Sequence, residues 1–352
     1  MHVVETLQRQ AIACEELGSS MYAELCRLLV DDYEVGGMST GVLAGYEDRP
    51  FGDAIALRLL GAVHRLVLAG EAPELAGFYP SVGGSWDPVL GWEAFEQVLQ
   101  SRSAELRSLL TQPPQTNEVG RAAALYGGLL QLVEAVPLPV RLFEIGASGG
   151  LNLRADHFRY NLPDGTGFGP ADSPVVFDNA WSGQALKPQP VRIAERVGSD
   201  IAPVNPLTED GARTLTSYVW PDMPVRLARL RGALEIARAV PADVRREDAV
   251  SFLRGLELSE GHVTVVWHSI MWQYLTRDDR AAVESRLAEL GATAGESSPL
   301  ARLRLEPLPR TAGGPYDFLV DLQLWPGGVR RTLGRAEPHG QGLVWELPTE
   351  VR

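Results

Sequence analysis

Residues 139–156 read Pro-Val-Arg-Leu-Phe-Glu-Ile-Gly-Ala-Ser-Gly-Gly-Leu-Asn-Leu-Arg-Ala-Asp. Val140 to Ile145 is a short, mostly apolar run, the pattern of a buried strand. Gly146 to Gly150 is a glycine-rich turn, and the spacing from Leu151 onward predicts a helix. A strand, a glycine turn and a helix in succession constrain the fold more than any other stretch of the chain. They form a ligand cradle when backbone N–H groups in the turn and the helix N-terminus face the ligand.

The same five residues support two sharp readings. Glu144-x-Gly146-x-Ser148-x-Gly150 resembles motif I of class I S-adenosylmethionine-dependent methyltransferases, acidic-x-Gly-x-Gly-x-Gly, with serine in place of the middle glycine. Gly146-x-Ser148-x-Gly150 also matches the nucleophile elbow of an α/β-hydrolase. Both need a strand before and a helix after, and a tight βα turn without a ligand has that context too.

The bulk properties narrow the classes. The 352 residues suffice for one large domain or two, and 45% hydrophobic content is ordinary for a globular core. A net charge of −13 argues against nucleic-acid binding, which needs a basic surface to release counterions. Cys14 and Cys26 are too few for a disulfide framework or a four-cysteine zinc site, and no metal is expected. The N-terminus lacks the layout of a signal peptide, and no apolar run approaches the length of a membrane span. A cytoplasmic, soluble protein is expected, with no membrane partner.

The first 112 residues pattern as helices. Leu7, Ala11, Cys14, Met21, Leu25 and Leu28 form a stripe interrupted near Gly18; residues 53–69 repeat it, with His64 beside it, and Trp92 to Leu110 repeat it again. Pro113-Pro114 breaks the chain. A buried helix then runs to Val136, with Thr116 or Asn117 as its cap and Glu118 and Arg121 in its first turn. Residues 158–190 are rich in Pro, Gly and Asp and form a long insertion; its Tyr160, Phe168, Phe177 and Trp181 predict that it is ordered. Strands are predicted at 191–197, 242–246 and 263–267, around Leu303 and Leu305, at 316–324 and at 329–333. Leu303 and Leu305 alternate with arginines, as a half-buried strand would.

From Val140 onward the order is strand, helix, strand, helices, strand, strand, helix, strand, hairpin. This predicts an α/β fold: a seven-stranded, class I methyltransferase-like (Rossmann-like) sheet with a terminal antiparallel hairpin. The expected division is a helical N-terminal cap over 1–112 and the α/β domain over 113–352. An α/β-hydrolase needs strands before its elbow and an upstream oxyanion-hole motif; the upstream region is helical and has no such motif. A triad of Ser148, an acid and His268 or His339 nevertheless exists on paper. A Rossmann dehydrogenase fingerprint fails at Ser148 and Leu151.

For S-adenosylmethionine, Asp200 at the end of the second strand suits the ribose hydroxyls. Asp248 and Ala249 after the third suit the adenine. Gly146, Ala147, Ser148, Gly150 and Asn152, with Glu144, suit the methionine end. His268 and Ser269 would border the methyl group. His157 and Tyr160 are candidate acid–base groups beside His268, while Asn117, Glu118 and Arg121 are candidate substrate contacts. The acceptor is expected to be a small molecule in a closed pocket between the helical region and the strand ends.

Four segments carry a resemblance across the whole chain: Leu57–Leu68, Gln115-Thr-Asn-Glu-Val-Gly-Arg121, Glu144–Leu153 and Glu337-Pro-His-Gly340. They resemble a bacterial family catalogued as domain of unknown function 2332, which implies relation to the methyltransferase superfamily but assigns no catalytic residue. Two alternatives to a methyltransferase follow from the residues: a serine hydrolase using Ser148, and a non-catalytic cofactor-binding protein of the same fold.

Overall fold

The computed structural model describes residues 3–309 and 316–350. Its helices are α1 (Val3–Glu16), α2 (Ser20–Glu34), α3 (Met38–Val42), α4 (Ile55–Leu68), α5 (Pro73–Ala76), α6 (Leu90–Ser101), α7 (Ser103–Leu109), α8 (Ala122–Ala135), α9 (Glu209–Ser217), α10 (Pro224–Ala239), α11 (Ala249–Arg254) and α12 (Arg277–Thr293). The chain divides into two compact units.

The first unit comprises Met1–Thr116 and Thr208–Ala228. Residues 208–228, which the sequence pattern groups with the α/β part, thus belong with the helices. Asp222 shows how: it accepts hydrogen bonds from the Ser19 hydroxyl at 2.6 Å and the Met21 N–H at 3.0 Å, at the first turn of α2. Ser19 is itself the N-cap of α2. The core takes Leu7, Leu25, Leu29, Leu59, Leu60 and Val63, all essentially inaccessible. Each such side chain stabilises the unit by about 1.5–3 kcal/mol through burial. His64 is part of this core. Its Nδ1–H donates to the Ser217 carbonyl and its Nε2 accepts from the Ser81 hydroxyl, while burial lowers its pKa to about 4. Both nitrogens are engaged, so it is a structural histidine. Cys14 and Cys26 are buried free thiols.

The second unit comprises Asn117–Leu207 and Arg229–Arg352. Its strands are β1 (Val140–Ile145), β2 (Arg159–Asn161), β3 (Gly167–Phe168), β4 (Val176–Phe177), β5 (Ser182–Gly183), β6 (Ile193–Asp200), β7 (Asp243–Arg246), β8 (Val263–Ser269), β9 (Leu300–Pro309), β10 (Tyr316–Trp325), β11 (Val329–Ala336) and β12 (Val344–Glu350). Nine of them form one sheet, in the order β5-β12-β11-β10-β9-β8-β1-β6-β7. The expected count of seven is therefore corrected to nine. The additions are β5, only two residues long, and β12, which contains Pro348, a residue that weakens a strand signal.

The five strands β7, β6, β1, β8 and β9 run parallel. Their central members β1 and β8 are buried along almost their whole length, as sheets covered on both faces require. In chain order the parallel strands lie 3-2-1-4-5, so the direction of winding reverses between β1 and β8. Ligands of open α/β sheets bind beside the carboxyl ends of strands at such a reversal. Beyond β9 the sheet continues as an antiparallel meander of β10, β11 and β12.

The insertion forms a small sheet of order β3-β2-β4. Tyr160 stacks on Tyr126 of α8 at 4.7 Å and on Phe177 at 5.0 Å, and Trp181 lies 5.4 Å from Tyr160. This aromatic cluster orders a segment that is otherwise poor in regular structure.

Candidate functional site

The carboxyl end of β1 leads into the glycine turn, and the turn is braced by the protein itself. The Gly146 and Ala147 N–H groups both donate to the Ser199 carbonyl at 2.9 Å. The Ser148 N–H donates to Asp200 Oδ2 at 2.9 Å, and the Gly150 N–H to the Ala147 carbonyl at 2.7 Å. The Leu151 N–H donates to Asn117 Oδ1 at 3.0 Å. Asn117 is therefore a strut for the turn rather than the cap of α8; Glu118 caps the short turn at Val119–Arg121 instead. A Cβ at Gly146 would lie 2.9 Å from Met271 Cβ, so the side chain of Met271 lies against the turn.

The expected helix after the turn is a 3-10 segment, Leu151–His157, with Arg154 off helical geometry at φ −109°, ψ 22°. Arg154 explains the kink: its guanidinium donates to the carbonyls of Gly150 and Val240. So short and irregular a segment lacks the aligned peptide dipoles expected of a helix N-terminus.

Three of the motifs quoted above meet here. Asn152 donates to the Glu118 carbonyl at 3.2 Å. Arg121 donates through Nε to the Pro338 carbonyl at 3.1 Å and through Nη1 to the Ser269 carbonyl at 3.3 Å. Gly120 and Gly340 allow two backbones to touch: a Cβ on either would collide with the other segment's carbonyl oxygen. Residues 117–121, 144–153 and 337–340 are thus one structural element, assembled at the strand ends.

Glu144 lies at the centre, 3% exposed. Burial raises its pKa to about 8, opposed by the Trp267 indole and the Arg121 charge. Neither Glu144 Oε2 nor Trp267 Nε1 has a full hydrogen-bond partner among the described residues. Asn152 Oδ1 and Ser199 Oγ are likewise buried without partners. Glu144 and Trp267 pair in register on one face, so their unpaired atoms lie side by side, a place that a bound polar group or water would relieve; Ser199 pairs with Ile145 on the other face.

Asp200 sits at the end of β6. One oxygen takes the Ser148 N–H and the other takes the Ala202 N–H at 2.9 Å. Asp248 caps α11, accepting from the Ser251 N–H and hydroxyl, chiefly through which its pKa is lowered. Ala249 begins that helix.

The remaining candidates separate. Tyr160 is fully buried, its hydroxyl donates to the Ala155 carbonyl at 2.7 Å, and burial drives its pKa well above normal. It packs in the aromatic cluster of the insertion. His157 is partly exposed, 3.7 Å from Asp156, which is held by Arg196. His268 is buried on the other face of the sheet from Glu144: its Nδ1–H donates to Glu306 Oε1 at 2.7 Å, and its Nε2 accepts from Arg302 at 3.1 Å. Burial, first of all, lowers its pKa to about 4. With both nitrogens engaged it has no lone pair for Ser148. The residues that sequence patterning passed over are Ser199, Trp267, Met271, Arg302 and Glu306. Polar Ser199 and Glu306 in otherwise strand-forming runs were the only local signal.

Among the described residues, no group of three or more His, Cys, Asp or Glu side chains is placed to hold a metal ion. No helix among them is long and apolar enough to cross a membrane. The family model described as "Uncharacterized protein conserved in bacteria (DUF2332)" matches residues 4–345. Neither a curated protein nor a solved structure matches the chain.

Proposed function

The chain belongs to the bacterial family DUF2332, and from that premise we propose that it is an S-adenosylmethionine-dependent methyltransferase acting on a small molecule. One observation carries the reading: five parallel strands reverse their winding at a glycine turn, and an acid stands at the end of β6, Asp200, and another just after β7, Asp248. That is where the ribose and adenine of such a cofactor are held in class I methyltransferases, which the turn resembles.

The chain's own groups fit the ribose end. Each Asp200 oxygen accepts one backbone N–H, which leaves lone pairs for a vicinal diol. At the other end the unpaired acceptors Glu144 Oε2 and Asn152 Oδ1 suit an ammonium, and Met271 lies against Gly146 beside them. A bound sulfonium would supply an electrophilic methyl group. The protein's part is then alignment and exclusion of water, which suffices for an acceptor that is already nucleophilic.

Isothermal titration with S-adenosylhomocysteine tests this. Binding tighter than about 1 mM, roughly −4 kcal/mol, is expected. Asp200→Asn should weaken it by about 1–3 kcal/mol, as loss of a charged acceptor does. No heat at millimolar ligand would dispose of the cofactor. Binding without methyl transfer to any of a broad metabolite panel would favour the non-catalytic alternative.

A hydrolase reading has one observation in its favour: Ser148 has φ +52°, the left-handed backbone a nucleophile elbow tolerates. Its weakness is the engaged His268. Labelling of Ser148 by a fluorophosphonate is the result that would revive it.

A further inference from the structure

On the face of the sheet away from Glu144, the strand register lines up polar side chains. Arg302, Gln323 and Arg330 form one row across β9, β10 and β11, and Arg304, Asp321 and Thr332 the next. With Glu284 of α12, five of these line a cavity of about 190 Å³: Arg302, Arg304, Asp321, Gln323 and Arg330. At roughly 30 Å³ per water, that is room for a few waters or one small ion.

The charges that line the cavity do not balance; the next carboxylate, Glu306, stands behind His268. Three guanidiniums face two carboxylates, in a chain whose net charge is −13. Asp321 is already saturated by Arg304, Arg330 and the Thr332 hydroxyl. Glu284, the partner of Arg302, has a side chain 51% exposed, so water screens it. Arg302 is only 4% exposed. Its Nε donates to His268 and its Nη1 to Glu284 at 2.7 Å, but its Nη2 has no hydrogen-bond partner among the described residues. A buried guanidinium donor without an acceptor is costly, and the neighbouring charges of Arg304 and Arg330 add repulsion.

We propose that this cavity is a binding site for a small oxyanion, a phosphate or carboxylate group, received by the guanidiniums that line it, with Arg330 at its more exposed side. An oxyanion supplies a negative charge among the three positive ones that line the cavity. The site is independent of the cofactor reading. Its ligand would still touch that region's framework, because Arg302 holds His268, His268 holds Glu306, and Glu306 Oε1 accepts the Met271 N–H at 3.2 Å.

The test is calorimetric titration of the full chain with inorganic phosphate and, separately, with acetate, each at constant ionic strength. Saturable one-site binding of at least one ion is expected, and the tighter ion identifies the group. Arg302→Gln and Arg330→Gln should each weaken binding at least about tenfold, the loss of one charge-assisted hydrogen bond. Arg330 is the more exposed, so Arg330→Gln remains informative if Arg302→Gln fails to fold. No saturable heat with either ion, or unchanged affinity in either folded variant, overturns the site and leaves a cavity that holds only water.

Discussion

Glu144→Gln is expected to stabilise the protein at pH 7 by about 3 kcal/mol. The native carboxyl has its pKa raised by burial to about 8, against an ordinary 4.5. At pH 7 the unfolded chain ionises this group and the folded chain does not. Each pH unit of that difference is about 1.36 kcal/mol. The sign follows from proton counts: between pH 4.5 and 8 the native state binds more protons, so stability falls as pH rises through that window and is flat above it. Glutamine keeps the shape of the neutral acid and does not titrate, so the variant should lose this slope. Urea denaturation of both proteins from pH 4 to pH 9 gives the answer. Equal stability at pH 4 and a widening advantage for glutamine above it are expected. A variant less stable than the wild type at pH 8 would show that the ionised carboxylate is held by the fold.

Asp321→Ala is expected to destabilise the protein by about 3–5 kcal/mol, the usual result of stripping one partner from a buried ion cluster. The carboxylate is 2% exposed. It accepts from Arg304 at 2.9 Å, from Arg330 at 2.6 Å and from the Thr332 hydroxyl at 2.8 Å. Alanine leaves the Arg304 guanidinium, also buried, without its counter-charge. Burial alone would raise the carboxyl pKa, but Arg304, Thr332 and Arg330 together hold it below the ordinary value. The cluster's stabilisation is therefore present at pH values above the ordinary carboxylate range and is lost as pH falls through the lowered value. A shift in urea midpoint, compared with Asp243→Ala on an exposed carboxylate, measures the effect. Losses below about 1 kcal/mol, typical of surface pairs, would show that water screens the cluster.

How far these features were legible in the sequence depends on how local their causes are. The strands β1 and β8 announce themselves because both faces are buried and their runs are apolar. The β10–β11 hairpin shows through its alternation and the Pro-Gly-Gly turn. The arginines of β9 mislead: alternation with leucine signals one solvated face, yet Arg302 and Arg304 are nearly inaccessible. Their cover comes from Asp321 and Glu284 on other elements, and pairing of that kind has no period within one strand. Asp200 sits at the strand end where sequence order predicts it, but its bond to the Ser148 N–H depends on how the turn folds back. Asn117 is similar. Its type and position suit a helix cap, and only the tertiary fold gives it the Leu151 N–H instead.

The clasp between Arg121 and Pro338 spans 217 residues of sequence. On a ribosome adding roughly 5–20 residues per second, the two halves emerge about 10–40 s apart. Through that interval Glu144 and its turn are already made but lack the loop that carries His339 and Gly340. Both strands that flank β1, β6 and β8, precede that loop in the chain, so β1 can be paired before the strand-end clasp closes. Synthesis itself thus keeps the clasp open until residues 337–340 exist.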